Sequence, residues 1–424
     1  MKKLYSLFLL IAIPCCSQLQ WKPLINAPSN PDAQRFDDVF FISETIGWAA
    51  NGRHAAIYKT IDGGNTWTFQ MGNTSMGTNY YFRNIEFIDE NIGFVGTLNG
   101  VFFKTTNGGT TWTTVINFPT NPIAICGLDA VGTSTIYGVG AYYEPAFLIK
   151  STDSGITWSY TDMSAYATGL VEVLFIDENI GFASGLKGNG GVILKTTNGG
   201  TTWTEIYNTT IAGEYVWKLQ ILMGTSNQTM FASVETVAPN SGKLLKSFDA
   251  GATWVSKNFP DVDVQAVGFV SATHGWMGGH HTGFYETFDG GDSWANISVG
   301  SNLNRIFFIS PMLAFACGTT IYKFSDTGLS NINFEEKDRV PLNIRIIPNP
   351  VTDKLNFSIE FISNDHIKIE LYDSLGRRLK ELQKEDIPEG ITKNYSFDFP
   401  YESGTYILNF HNNTGRQSIK FVKK

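Results

Sequence analysis

Lys59-Thr-Ile-Asp-Gly-Gly-Asn-Thr-Trp67 is the stretch that decides the fold of this chain. It returns as Lys104–Trp112, Lys150–Trp158, Lys195–Trp203 and Lys246–Trp254, then as Glu286–Trp294 with Glu in place of Lys. A degenerate seventh copy runs Lys323–Ser330. The turn residue of each copy is Asp62, Asn107, Asp153, Asn198, Asp249, Asp289 or Asp326, and neighbouring copies lie 37 to 51 residues apart. An Asp or Asn side chain there caps backbone N–H groups of its own turn, and Gly supplies positive φ without steric cost. The Thr or Ser before Trp closes the hydrogen-bond set, and the Trp offers a large flat face for packing. All of these roles are structural.

Upstream of each turn sits a second signature. Phe87-Ile-Asp-Glu-Asn-Ile-Gly-Phe94 is nearly repeated at Phe175–Phe182, with looser versions at Phe41–Trp48 and Phe269–Trp276. Each unit therefore reads as strand A, a tight turn, strand B, a loop, strand C, the Asp-rich turn and strand D. In the fourth unit these are Val171–Ile176, Gly181–Gly185, Val192–Thr196 and Thr202–Ile206. Seven four-stranded units of this length predict an all-β, seven-bladed β-propeller over residues 18–334. Composition agrees: 31 Phe, 17 Tyr, 10 Trp and 42 Gly against only 17% charged residues suit strands and tight turns. The seventh copy lacks its Trp, whereas Leu19-Gln-Trp-Lys-Pro-Leu24 resembles a strand D. Trp21 is expected to complete blade seven, which removes a free sheet edge.

These residues resemble the Asp-box, or sialidase-type BNR, repeat Ser/Thr-x-Asp-x-Gly-x-Thr-Trp. A box in nearly every unit of a seven-unit array resembles the photosystem II assembly-factor propellers more than true sialidases. That resemblance implies a scaffold for protein contacts with no known catalysis.

The flanks carry addresses. Lys2 and Lys3, the apolar run Leu4–Ile13, and Cys15, Cys16 and Ser17 read as a signal peptide over residues 1–17, with a lipid anchor on Cys15 or Cys16 as the alternative. No later segment reads as transmembrane. Residues 335–343 form a charged linker. Beyond it, Ile346-Ile-Pro-Asn-Pro350, Ile367-Lys-Ile-Glu-Leu-Tyr-Asp-Ser-Leu-Gly-Arg377, Ser403-Gly-Thr-Tyr-Ile-Leu408 and Ile419-Lys-Phe-Val-Lys-Lys424 alternate strands with turns, predicting an Ig-like β-sandwich over 344–424. That set resembles the type A C-terminal sorting domain of the type IX secretion system of Bacteroidota. It implies passage through the periplasm and outer membrane to the surface or medium, with the secretion and sorting machinery as a partner.

Residues 18–343 hold 17 Lys and Arg against 28 Asp and Glu, a balance that excludes nucleic acid, whose phosphates need a basic face. Cys126 and Cys317 fall in the third and seventh units, too far apart to bridge, and read as buried thiols. The A–B and C–D turns share one face, and the B–C and inter-blade loops share the other. Arg35, Arg53, Arg83 and Arg305 all fall on this second face, in blades one, one, two and seven. Arg suits bidentate recognition of carboxylates, so an anionic group is expected over blades 7-1-2. Tyr80, Tyr81, Tyr142, Tyr143 and Trp217 are aromatic contact candidates of the same face, with inter-blade packing as their alternative role. His280 and His281 point apart on an extended segment, and no metal or cofactor is called for. No catalytic constellation is legible; Glu144, Asp162, Glu172, Glu214 and Asp263 lie near this face without forming an evident pair. The reading is an exported binding module for a protein or glycan. A secreted, sialidase-like glycoside hydrolase is the alternative.

Overall fold

A computed structural model of the chain describes residues 19–29, 34–73, 80–142, 145–326, 343–346, 350–361, 365–373, 378–388, 390–412 and 415–424. The signal-peptide reading, Tyr143 and Glu144 lie outside these residues. The chain divides into two compact units, Met1–Leu329 and Ser330–Lys424.

The first unit holds seven four-stranded antiparallel sheets. Their innermost strands are Phe36–Phe41, Phe82–Phe87, Gly127–Val131, Gly169–Phe175, Tyr215–Ile221, Val264–Phe269 and Arg305–Ser310, and each touches the next all the way round. The ring is closed and has seven blades. Blade seven is built from Arg305–Ser310, Leu313–Cys317, Ile321–Asp326 and, as its outer strand, Leu19–Pro23. Trp21 pairs with Phe324, stacks on Phe284 at 4.4 Å and is buried. The expected closure is the one observed. Cys126 and Cys317 are free and buried, as expected.

The Asp-rich turns are built as their chemistry requires. Asp62 Oδ1 accepts from Thr66 N at 2.9 Å, and its Oδ2 accepts from Thr66 Oγ1 at 2.6 Å. Thr60 Oγ1 donates to Asp62 and accepts from Gly64 N. Gly63 and Gly64 both have positive φ, 70° and 89°. Blades three and five place Ser154 and Ala250 at the first of these positions, each at φ 57°.

The repeated lysine links neighbouring turns. Lys59 Nζ donates to Gly108 O at 3.1 Å, Lys150 to Gly199 O, Lys195 to Ala250 O, Lys246 to Gly290 O and Lys323 to Gly63 O. Each acceptor is the residue after the turn Asp or Asn of the next blade, so the lysines form a belt around one face. Strand C places every lysine opposite an aromatic of strand B, as in Lys59 opposite Trp48, with Nζ 4.8 Å from the ring centre.

The second unit has a three-stranded sheet and a four-stranded sheet, the latter ordered Arg378–Ile387, Asp365–Asp373, Gly404–Asn412, Gly415–Lys423. Leu355, Phe357 and Ile359 from one sheet and Ile369, Leu371, Leu408 and Phe410 from the other share a single core, the arrangement of a β-sandwich.

Candidate functional site

The inner strands set side chains around the channel in three tiers, fixed by register. One tier is opposite the conserved strand-B aromatics and holds Phe40, Glu86, Asp129, Leu174, Gln220, Gly268 and Phe307. The next holds Asp38, Asn84, Gly127, Glu172, Lys218, Ala266 and Arg305. Above it, nearest the loop face, a register shift recurs in five blades and leaves Asp37, Arg83, Val171, Trp217 and Gln265 without a cross-strand partner. Such bulges re-aim a side chain. Here they crowd unlike residues into the channel mouth.

The mouth is an ion-pair lattice capped by aromatic rings. Asp37 Oδ1 accepts from Arg83 Nη1 and from Arg35 Nη2, each at 3.0 Å. Arg35 also lies 3.0 Å from a ring nitrogen of His280. Arg83 is buried, and its guanidinium sits 5.3 Å over the ring of Trp217. Tyr142 stacks on the same indole at 5.5 Å and is 38% exposed. Tyr215 completes the group at 5.2 Å and donates to Tyr142 O. Arg83 Nη2 and Gln265 Oε1 are buried here without a hydrogen-bond partner.

In the middle tier, Arg305 joins Asp38 at 3.2 Å to Glu172 at 3.3 Å, and Lys218 meets Glu172 at 2.5 Å. Burial works against charge on Arg305, but Asp38 and Glu172 outweigh it and raise its pKa. Burial lowers the pKa of Lys218 against the pull of Glu172. The lowest tier has carboxyls without cations. Glu86 accepts from Ala130 N at 3.4 Å, and Asp129 accepts from Phe175 N at 2.5 Å, each across a blade boundary. Burial pushes Asp129 up to about 8, and burial together with Asp129 holds Glu86 well above the usual carboxylate range. A cavity of about 160 Å³ borders these tiers, lined by Glu172, Lys218, Gln220, Met223, Arg305 and Phe308 among others.

The structure gathers Arg35, Arg83 and Arg305 in the channel and pairs them with carboxylates, Asp37 serving both Arg35 and Arg83, and Asp38 and Glu172 serving Arg305. Arg53 stays apart, exposed on the turn between Gly47–Asn51 and Ala56–Thr60. Trp217, a contact candidate in the sequence, is buried in an inner strand together with Tyr215, and the register shift at Trp217 turns its indole into the channel rather than into solvent. Tyr80 packs against Phe103 at 5.5 Å. Tyr81 is half-buried, and burial followed by the charge of Asp37 raises its pKa. Of the acids near this face, Glu214 pairs with Lys243, Asp263 with His281, and Asp162 caps Ser164 N. No group of three metal-binding side chains occurs among the described residues. The sequence reading missed Glu86, Asp129 and Lys218. Aligning the inner strands on their aromatic partners places all three in the channel.

Residues 16–146 match the family model described as photosynthesis system II assembly factor YCF48, and residues 345–424 match the secretion system C-terminal sorting domain. The propeller is thus similar to the Ycf48 family, and the tail is a type IX sorting domain. That tail marks the chain for export to the cell surface or medium and for contact with the secretion machinery. A photosystem II assembly lipoprotein Ycf48 from Synechococcus sp. (strain CC9902) is 25% identical over 316 residues, covering 70% of this chain and 85% of that protein. Among solved structures, YCF48 bound to D1 peptide is 20% identical with TM-score 0.55, covering 72% of this chain and 96% of its own. PorZ, a surface component of the type IX secretion system of Porphyromonas gingivalis, is 14% identical with TM-score 0.53, covering 94% of this chain and 60% of its own. These structures share the fold. No helix among the described residues is long and apolar enough to cross a membrane.

Proposed function

We propose that the propeller is an exported binding module that receives a polypeptide partner at the loop-face mouth of its channel. The observation that carries this reading is the Arg83–Trp217–Tyr142 stack. It is fixed from beneath by Asp37 and reaches the surface through Tyr142, in the manner of a preorganised anchor ringed by less energetic contacts. A solved propeller of the same fold is bound to a peptide, which supports a polypeptide over other ligands. The paired arginines bear on the ligand: with Arg35, Arg83 and Arg305 each already holding a carboxylate, aromatic and amide contact outweighs bulk anion attraction at this mouth. Arg53, exposed at the rim, is a cation that a partner's carboxylate can meet.

The second reading, a glycoside hydrolase, rests on Glu86 and Asp129, two channel carboxyls with raised pKa. Both are engaged by backbone N–H groups of the next blade, which favours a stitching role. Peptide and glycan arrays probed with the full chain, run beside fluorogenic glycosides, separate the readings. Tyr142→Ala is expected to weaken peptide capture at least tenfold with the fold intact. Turnover of a glycoside that disappears in Asp129→Asn would overturn the binding assignment.

A further inference from the structure

The belt of lysines has one break, and the break faces a pocket. In all seven blades the first residue of the repeat lies directly opposite a strand-B aromatic. The pairs are Lys59–Trp48, Lys104–Phe94, Lys150–Tyr137, Lys195–Phe182, Lys246–Phe231, Glu286–Trp276 and Lys323–Phe315. Five of the six lysines hold their ammonium within 4.8 to 5.9 Å of that ring's centre. The sixth, Lys246, donates to Gly290 O, as Lys59, Lys150, Lys195 and Lys323 donate to the turns that follow them. Blade six keeps the aromatic, here the larger Trp276, and replaces the cation with a carboxylate.

Around that exchange the packing opens. A pocket of about 230 Å³ is lined by Trp21, Trp276 and Phe324, by the aliphatic side chains of Ile297 and Val299, and by Glu286. The rings converge at angles: Trp21 lies edge-on to Trp276 at 6.0 Å, and Phe324 is tilted 4.7 Å from Trp276. His274 holds Glu286 from the other side, with Nε2 2.9 Å from Oε1. Among the described residues that line the pocket, Glu286 is the charged one. Indole rings beside a carboxylate are the chemistry that recognises an alkylammonium, and His274, which also packs on Trp276 at 4.5 Å, holds that carboxylate in its absence. In five other blades the lysine ammonium takes the corresponding place over the ring.

We infer that the pocket between blades six and seven binds an alkylammonium group. The pocket lies away from the channel mouth and stands whether or not that mouth receives a peptide. The test uses the full chain with tryptophan indoles labelled for NMR. It is titrated with n-butylammonium and with a capped lysine, Nα-acetyl-lysine methylamide, each beside its neutral isostere, butan-1-ol and Nα-acetyl-6-hydroxynorleucine methylamide. The two ammonium compounds are expected to shift the Trp21 and Trp276 indole resonances while the isosteres leave them in place. Glu286→Gln should weaken binding at least tenfold, and Glu286→Lys, which restores the repeat's own cation, should abolish it. A capped lysine that binds tighter than butylammonium identifies the source as a partner's side chain; the reverse order identifies a free amine. Equal shifts from the neutral isosteres, a comparison that needs no variant, would overturn the inference. So would an unchanged titration in Glu286→Gln.

Discussion

The rim and the channel of this propeller are built by opposite rules. At the rim, one turn and one lysine link recur from blade to blade, and the contacts inside each turn span a fixed sequence distance. In the channel no two blades supply the same residues. Asp38, Glu172, Lys218 and Arg305 come from blades one, four, five and seven and meet only because the ring is closed. The rim distributes stability over many modest, interchangeable contacts. The channel concentrates it in a few buried charges that depend on one another, and this makes the channel the place where a single substitution does most damage.

That difference predicts an order of effects. Arg305→Ala should be the most destabilising, by roughly 3–5 kcal/mol, because it leaves Asp38 and Glu172 buried with only Lys218 to answer them. Chemical denaturation of the variant checks this, and a loss below 1 kcal/mol would erase the contrast with the rim. Next comes the pH response of the lowest tier. Burial raises the pKa of Glu86 and Asp129 above their unfolded values, so the native state binds more protons than the unfolded one between about pH 4 and pH 8. Their contribution is therefore fully present below the unfolded pKa and is lost as pH rises through the folded one. Asp129→Asn should flatten the fall in stability between pH 5 and pH 8, by roughly 1–3 kcal/mol at the upper end. Thermal melts across that range would show it, and parallel curves for variant and parent would count against it.

The rim should respond less. Removing one cap with Asp62→Ala is expected to cost about 1 kcal/mol, by analogy with lost helix caps, and to leave peptide capture untouched. A loss comparable with Arg305→Ala would mean that the turns are not interchangeable. The smallest effect expected is a gain. Ala250 occupies a left-handed conformation that the other copies mostly give to Gly, so Ala250→Gly should stabilise by roughly 0.5–1 kcal/mol. Differential scanning calorimetry would detect the rise in Tm.

The same contrast explains what the sequence disclosed. Asp62, Thr66 and Trp67 act within nine residues of Lys59, and a local pattern that repeats is visible without a structure. Trp21 was legible as the partner of blade seven because it fills a gap in that pattern. The lysines were legible as structural, although their acceptor, the turn of the next blade, was not. The channel was legible only in part. Arg35, Arg53, Arg83 and Arg305 share a face in the sequence pattern, but face does not give radius, so the pattern alone neither separates Arg53 from the three in the channel nor marks Trp217 as an inner-strand residue. Glu86, Asp129 and Lys218 carry no local signature at all; their meaning lies in the tier, which exists only once seven strands are in register. Glu286 was visible as a departure from the repeat, and its consequence needed the pocket beside it.

One further consequence follows from the strand Leu19–Pro23. It pairs with Ile321–Asp326, so the first described strand of the propeller waits for the last one of that unit. Blades one to six draw all four strands from contiguous chain and can assemble in turn as they emerge, whereas blade seven closes a loop of some three hundred residues. Loop-closure entropy grows only slowly with length, so the final equilibrium hardly notices. The order of events does notice, because contacts this distant in sequence form late. Until both ends are present the disc is an open crescent, with the edges of blades one and six exposed and the lattice of Asp38, Glu172 and Arg305 unformed. Snapping the seam shut and assembling the central charges are then one event, so the channel exists only in a chain that has finished folding.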